Sequence, residues 1–223
     1  MHPFTSVSFP LCSIFFHQNK EAAASVAKEI TDAGGKAAIF CADVAEKDQV
    51  HKLVEEVVAK FSRLDILINN AGVADMAFLE EITQSHFDHL FGTNFLGTVW
   101  TTQEAVKHLP QGGRIVNVSS IATTGRMPSL SVYAASKASV EAFTRVIAAE
   151  LSQKGITINS ISPGPIRTDL SARMGKEVAA KLGQMPHMGK PGEPSDIANV
   201  VAFLASPDSA WITGETIRAA CGV

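Results

Sequence analysis

Short apolar runs alternate with stretches of helical periodicity along almost the whole chain, and this alternation limits the fold more than any other feature of the sequence. Lys20 to Ala33 is helical in composition and closes at Gly34 and Gly35, where a helix C-cap is expected. Ala37 to Cys41 is a short apolar run ending at Asp43. From Glu46 to Phe61, Val50, Leu53, Val54, Val57, Val58 and Phe61 recur at the spacing of one helical face. The next apolar run, Leu64 to Ile68, leads into Asn69, Asn70, Ala71 and Gly72. A long helix is expected over about Thr83 to Leu109, then a strand from Arg114 to Val118 and a helix from about Ser131 to Ser152. The remainder reads as a strand at Ile156 to Ile161, a helix-rich insert at Asp169 to Gly183, a helix at Pro194 to Ala205 and a last strand around Glu215 to Arg218. Such βαβα order implies an α/β fold, a Rossmann-like doubly wound parallel sheet with helices on both faces. In that architecture ligands bind beyond the carboxyl ends of the strands, and the chemically interesting residues fall there.

Size and composition fit one domain over residues 1–223, with 1–19 an atypical N-terminal segment. A chain of 223 residues with 46% hydrophobic content buries a substantial core. Its net charge of −3 and the absence of a Lys/Arg-rich run argue against nucleic acid or an anionic membrane as partner. Cys12, Cys41 and Cys221 are widely spaced and odd in number, which fits reduced thiols rather than a disulfide framework or metal ligands. Phe4 to Phe16 is apolar, but no Lys or Arg precedes Lys20, and the run is short and broken by Ser and Pro. A soluble, cytoplasmic protein is expected.

Tyr133 and Lys137 stand four residues apart, and Ser120 lies thirteen residues upstream at the end of an apolar run. Positions i and i+4 share a helix face, and an ammonium beside a phenol favours the phenolate. The spacing therefore predicts a proton-transfer pair with a lowered phenol pKa. An isolated Tyr-x-x-x-Lys is more often a pair of surface residues on an amphipathic helix, so the neighbouring motifs decide its meaning.

Taken together, Asn69-Asn70-Ala71-Gly72, Asn94, Ser120, Tyr133 with Lys137, and Pro163-Gly164 with Thr168 resemble the short-chain dehydrogenase/reductase family, from about Lys20 to the C-terminus. The resemblance implies that Tyr133 is the catalytic acid/base and that Lys137 lowers its pKa and binds the nicotinamide ribose. Ser120, in preference to Ser119, would orient the substrate oxygen, and Asn94 would hold a water in the proton relay. It places Asp43 and Val44 beside the adenine, and Asn70, Ala71 and Gly72 at the adenosine ribose. Pro163, Gly164, Ile166 and Thr168 would meet the nicotinamide carboxamide. The implied activity is hydride transfer between a nicotinamide cofactor and a carbonyl or secondary alcohol, as a ketoreductase. A homodimer or homotetramer is expected, although Ala219 to Gly222 departs from the family's usual C-terminal ending.

One part of the pattern has no match. The family fold opens with a strand, a glycine-rich turn and a helix whose N–H groups hold the pyrophosphate, yet no glycine precedes Gly34. Lys20 to Ala33 matches the helix after the second strand, which makes Leu11 to Phe16 that second strand and leaves the first strand and helix missing or replaced. Thr5 to Phe9 with Leu11 to Phe16 would fill the central slot, or the second strand would shift into it, or the chain is a truncated form. The alternative function is accordingly an impaired homologue that serves as a binding or oligomer partner. The stretch His17 to Lys20 has no acid to hold ribose hydroxyls, which favours NADP over NAD.

Two further features have plain readings. His86 and His89, near Glu80 and Glu81, fit a solvated helix face better than a metal site, and no metal is expected. Met174, Met185 and Met188 flank the insert and suit either core packing or an apolar substrate pocket.

Overall fold

The structure, a computed structural model, describes residues 11–169, 171 and 189–223. In chain order the elements are β1 Cys12–Phe16, α1 Lys20–Asp32, β2 Ala37–Cys41, α2 Lys47–Phe61 and β3 Ile66–Asn69. They continue with α3 Gln84–Phe91, α4 Gly97–Ala105, β4 Arg114–Val118, α5 Ser131–Ser152, β5 Thr157–Pro163, α6 Pro194–Ala205 and β6 Thr216–Ala219. Every strand pairing is parallel, and helical crossovers join the strands as parallel pairing requires.

Helices cover the larger sheet on both faces. On one side Leu67, Ile115 and Ile158 pack with Ala105 at the end of α4, with Leu109 beyond the turn that follows, and with Ala148 and Leu151 of α5. On the other, Val116 and Ile161 pack with Leu204 of α6. Ile158 and Ile161 are fully buried, and each such side chain contributes about 1.5–3 kcal/mol. This two-faced burial covers the polar residues of β4 and β5 as well: Asn117, Asn159 and Ser160 are as fully enclosed as Val116 and Ile158.

Among the described residues the sheet stands in two pieces. β1 pairs with β2, from Cys12 opposite Ala37 to Phe16 opposite Cys41, while β3, β4, β5 and β6 form a separate four-stranded sheet in that order. The sideways shift of the second strand is not adopted, because β1 has no ladder with β3 among these residues. All five residues of β1 are only half-buried despite their apolar character, whereas β5 is buried along nearly all its length. Thr5 to Phe9, most of the Asp169–Gly183 insert, and Met174, Met185 and Met188 lie outside the described residues.

The long helix expected over Thr83 to Leu109 is not continuous. Gly92–Leu96 is a π-helical turn between α3 and α4, in which the Gly97 N–H donates to the Gly92 carbonyl five residues back. π turns recur where a helix is distorted for function. Here the distortion turns Asn94 fully inward. His86 also departs from expectation: both ring nitrogens are buried without a hydrogen-bond partner, so it does not lie on a solvated face. No three described His, Cys, Asp or Glu side chains come together to hold a metal ion, and no described helix is long and apolar enough to cross a membrane.

Candidate active site

Helix α5 carries the Tyr133 and Lys137 pair. Ala134, Ala135 and Ala138 favour the helix, and Val132, Ser136, Val140, Thr144, Ala148 and Leu151 are buried at three- and four-residue steps. That stripe presses the first turns of α5 against the π turn and the segment after β4. The helix thus sets its polar residues at the carboxyl ends of β3 and β4.

Lys137 is buried there. Its Nζ donates to the carbonyl of Val118, the last residue of β4, at 2.8 Å. Gly72 faces it: a Cβ at that position would lie 3.1 Å from Nζ and 3.3 Å from Asn94 Oδ1. A side chain there would crowd both groups, which glycine avoids. Burial disfavours the ammonium and pushes the Lys137 pKa down to about 8.

The phenol behaves differently from the sequence expectation. Burial raises the Tyr133 pKa above its ordinary value, and the neighbouring Ser120 hydroxyl opposes that rise. The Lys137 head group is instead engaged at the Val118 carbonyl. Tyr133 is thus held as a neutral acid near pH 7.

The structure separates the two serines. Ser119 Oγ donates to Glu141 Oε1 at 2.6 Å, whereas Ser120 faces Tyr133 and accepts from the Ala122 N–H at 3.2 Å. Asn94 lies below them. Its Oδ1 accepts from the Val73 N–H at 2.8 Å, and its Nδ2 donates to the Val73 carbonyl at 3.0 Å and to Ser136 Oγ at 2.9 Å. Both amide hydrogens are used within the protein, which leaves one Oδ1 lone pair for a further donor. Asn94, Ser120, Tyr133 and Lys137 are thereby brought into one region.

The remaining candidates fall in three groups. Asp43 Oδ1 accepts from the Ala45 N–H at 2.9 Å and shapes the turn after β2, while Val44 and Ala71 line one shallow pocket with Asn69, Thr93 and Gly97. Asn70 and Gly72 are exposed beside it. Gly164 and Ile166 line a second, small concavity with Pro165, Ile197 and Ala219 to Cys221. A Cβ on Gly164 would lie 2.8 Å from the Ala220 Cα, so the strand ends meet only because the residue is glycine. Pro163 ends β5, and Thr168 exchanges hydrogen bonds with Ser171.

Sequence reasoning passed over Ser136 and Glu141 and took Asn69 only as part of its motif. Asn69, beside the candidate Asn70, is buried and bonds Thr102 Oγ1 at 3.1 Å, Asn117 Oδ1 at 2.8 Å and Thr101 Oγ1 at 2.7 Å. Its inward place follows from the alternation of β3, a signal that was available. Glu141 sits one turn beyond Lys137 on α5, so helical spacing alone put it in reach.

Residues 12–223 match the family described as enoyl-(acyl carrier protein) reductase. An uncharacterised oxidoreductase from Methylorubrum extorquens is 43% identical over 211 residues, covering 93% of this chain and 85% of its own. The chain belongs to the short-chain dehydrogenase/reductase family. Another relative in that family, a probable tetrahydroxynaphthalene reductase from Zymoseptoria tritici, is 38% identical over 210 residues and is matched over 88% of this chain and 79% of its own. The crystal structure of the angucycline C-6 ketoreductase LanV with bound NADP superposes with a TM-score of 0.90 at 35% identity, covering 95% of this chain and 84% of that one.

Lys137 makes a stability prediction. Its folded pKa, about 8, lies below the ordinary 10.5, so the penalty for burying the ammonium is full below about pH 8 and is relieved as pH rises toward 10.5. Thermal unfolding midpoints are expected to rise between pH 8 and 10 in the wild type and to lose that rise in Lys137→Met. A wild-type midpoint that falls steadily over this interval contradicts the assignment.

Proposed function

We propose that the chain is an NADP(H)-dependent ketoreductase, with Tyr133 as proton donor to the carbonyl oxygen. The observation that carries this reading is the Ser120 and Tyr133 hydroxyl pair, held with Lys137 and Asn94 at the carboxyl ends of the strands. A bound reduced nicotinamide supplies the hydride that reaches the carbonyl carbon. Tyr133 gives its proton to the oxygen, and Ser120 donates a hydrogen bond to the same oxygen as negative charge gathers there. The raised phenol pKa keeps Tyr133 protonated, which is the form that reduction needs.

The residues present fit the nicotinamide end of the cofactor. Gly72 leaves the Lys137 Nζ uncovered by a side chain, so Lys137 and Tyr133 would hold the nicotinamide ribose. Gly164 and Ile166 share one concavity and, with Pro163 and Thr168, would hold the carboxamide. Val44 and Ala71 share the other, and with Asp43, Asn70 and Gly72 would hold the adenosine. His17 to Lys20 contain no acid, and Asn19 Oδ1 is engaged by the Ala22 N–H, which favours the 2′-phosphate of NADP over a free ribose. LanV was solved with NADP. The substrates named for two relatives, a tetrahydroxynaphthalene and an angucycline, make a hydroxylated polycyclic ketone the first substrate to try.

The divided sheet supports a second reading. Residues 1–33 contain no glycine, and among the described residues β1 has no ladder with β3. On that reading the protein is an impaired homologue that acts as a binding or oligomer partner, in a homodimer or homotetramer. Titration with NADPH and NADH, followed by nicotinamide fluorescence on the folded chain, separates the two. Micromolar binding with NADPH the tighter ligand is expected; no binding of either leaves the impaired reading.

A further inference from the structure

We infer that Glu141 is a positioning residue that holds Ser120 opposite Tyr133, an inference that rests on the ketoreductase reading. Glu141 Oε1 accepts from Ser119 Oγ at 2.6 Å and from Thr123 Oγ1 at 3.0 Å. Those hydroxyls lie one residue before and three residues after Ser120. The carboxylate therefore grips the turn on both sides of the serine and ties it to α5, the helix that carries the phenol. Hydrogen bonds to an ionised carboxylate are shorter and about twice as strong as neutral ones, which makes this the firmest link between turn and helix.

The contacts also show what remains without Glu141. The single proton of Thr123 Oγ1, no longer drawn to Glu141, goes to the Ser120 carbonyl 3.0 Å away, and the Thr123 N–H reaches the same carbonyl at 3.2 Å. The short helical turn Ile121–Thr123 thus survives by itself. Ser119 Oγ, which has a single proton, turns to the Lys137 carbonyl 3.3 Å away. What is lost is the docking of Ser120 against the phenol, with little loss of fold.

The test uses the fact that Tyr133 is the only tyrosine in the chain. Its ionisation is read directly from tyrosinate difference absorbance, immediately after a rapid pH jump and ahead of unfolding, with no cofactor or substrate present. Ser120→Ala removes the donor and moves the midpoint to higher pH. Glu141→Ala is expected to move it in the same direction by at least half as much, Glu141→Gln, which keeps an acceptor oxygen, to stay near wild type, and Glu141→Ala with Ser120→Ala to match Ser120→Ala alone. With NADPH and a ketone, Glu141→Ala is expected to lower kcat by about tenfold or more, up to the roughly 10²–10³ of a lost oxyanion donor, at unchanged NADPH affinity. A Glu141→Ala midpoint equal to wild type, or an equal shift on the Ser120→Ala background, overturns the inference. A chain that binds no nicotinamide cofactor but gives the expected titration overturns the ketoreductase reading and leaves the placement of Ser120 by Glu141 standing.

Discussion

Tyr133→Phe is expected to lower kcat for ketone reduction by roughly 10²–10⁴-fold, with NADPH affinity and unfolding midpoint close to wild type. The substitution removes one oxygen and leaves the ring. That oxygen engages Ser120 from a side chain whose burial already raises its pKa, so the fold gains little from it and the reaction needs it. Ser120 keeps its contact with the Ala122 N–H, and the local turn survives. Ser120→Ala should cost less, about 10²–10³-fold, because the proton donor remains while the oxygen loses one hydrogen bond. Rates of the wild type should fall on the alkaline side as the phenol ionises, and that limb should move to higher pH in Ser120→Ala. Steady-state kinetics with separate fluorescence titration of NADPH checks all of these. A Tyr133→Phe variant with kcat within a few-fold of wild type removes the proton-donor assignment.

The sequence carried the order of elements well because strand and helix periods differ and the crossovers are regular. The ends of α5 and α6 coincide with their expected bounds. Where local pattern and tertiary demand diverge, reading from sequence failed. Nothing in Gly92 to Leu96 signals a π turn by period, since one added residue in the hydrogen-bonded ring leaves the apolar spacing of the flanking turns intact. The lowered phenol pKa was inferred from the distance between positions on a helix, but side-chain direction decides electrostatics, and the Lys137 ammonium reaches the Val118 carbonyl instead. Ser119 and Ser120 point to opposite partners, as consecutive residues at a strand end do, and the spacing to Tyr133 named the one that faces it. His86 was read from its spacing to His89 and from the lack of a further ligand, and the burial of its ring nitrogens was not visible there.

Asn94→Ala is expected to be the most destabilising substitution in the site. Asn94 joins three segments through one amide: the loop after β3 at Val73, the π turn that carries it, and α5 at Ser136. Ser136 passes the link on by donating to the Tyr133 carbonyl at 2.7 Å. Truncation to alanine strands the Val73 N–H and carbonyl, and each unsatisfied buried group costs about 1–3 kcal/mol, so a loss of about 3–5 kcal/mol follows for the set. At about 2–4 °C per kcal/mol for a chain of this size, the unfolding midpoint drops by roughly 6–20 °C. The Val73 amide should also lose its protection against hydrogen exchange. Asn94→Asp separates polarity from the amide pattern: one oxygen still accepts from the Val73 N–H, but the other meets the Val73 carbonyl, so the variant should recover only part of the midpoint. A variant Asn94→Ala that unfolds at the wild-type temperature would show that the π turn stands without its asparagine. Its lost hydrogen bonds would then have to be satisfied by water. The expected result instead ties the distortion of the helix to a single side chain, whose bonds to Val73 and Ser136 favour the wider turn over a regular one and bring Asn94 beside Lys137.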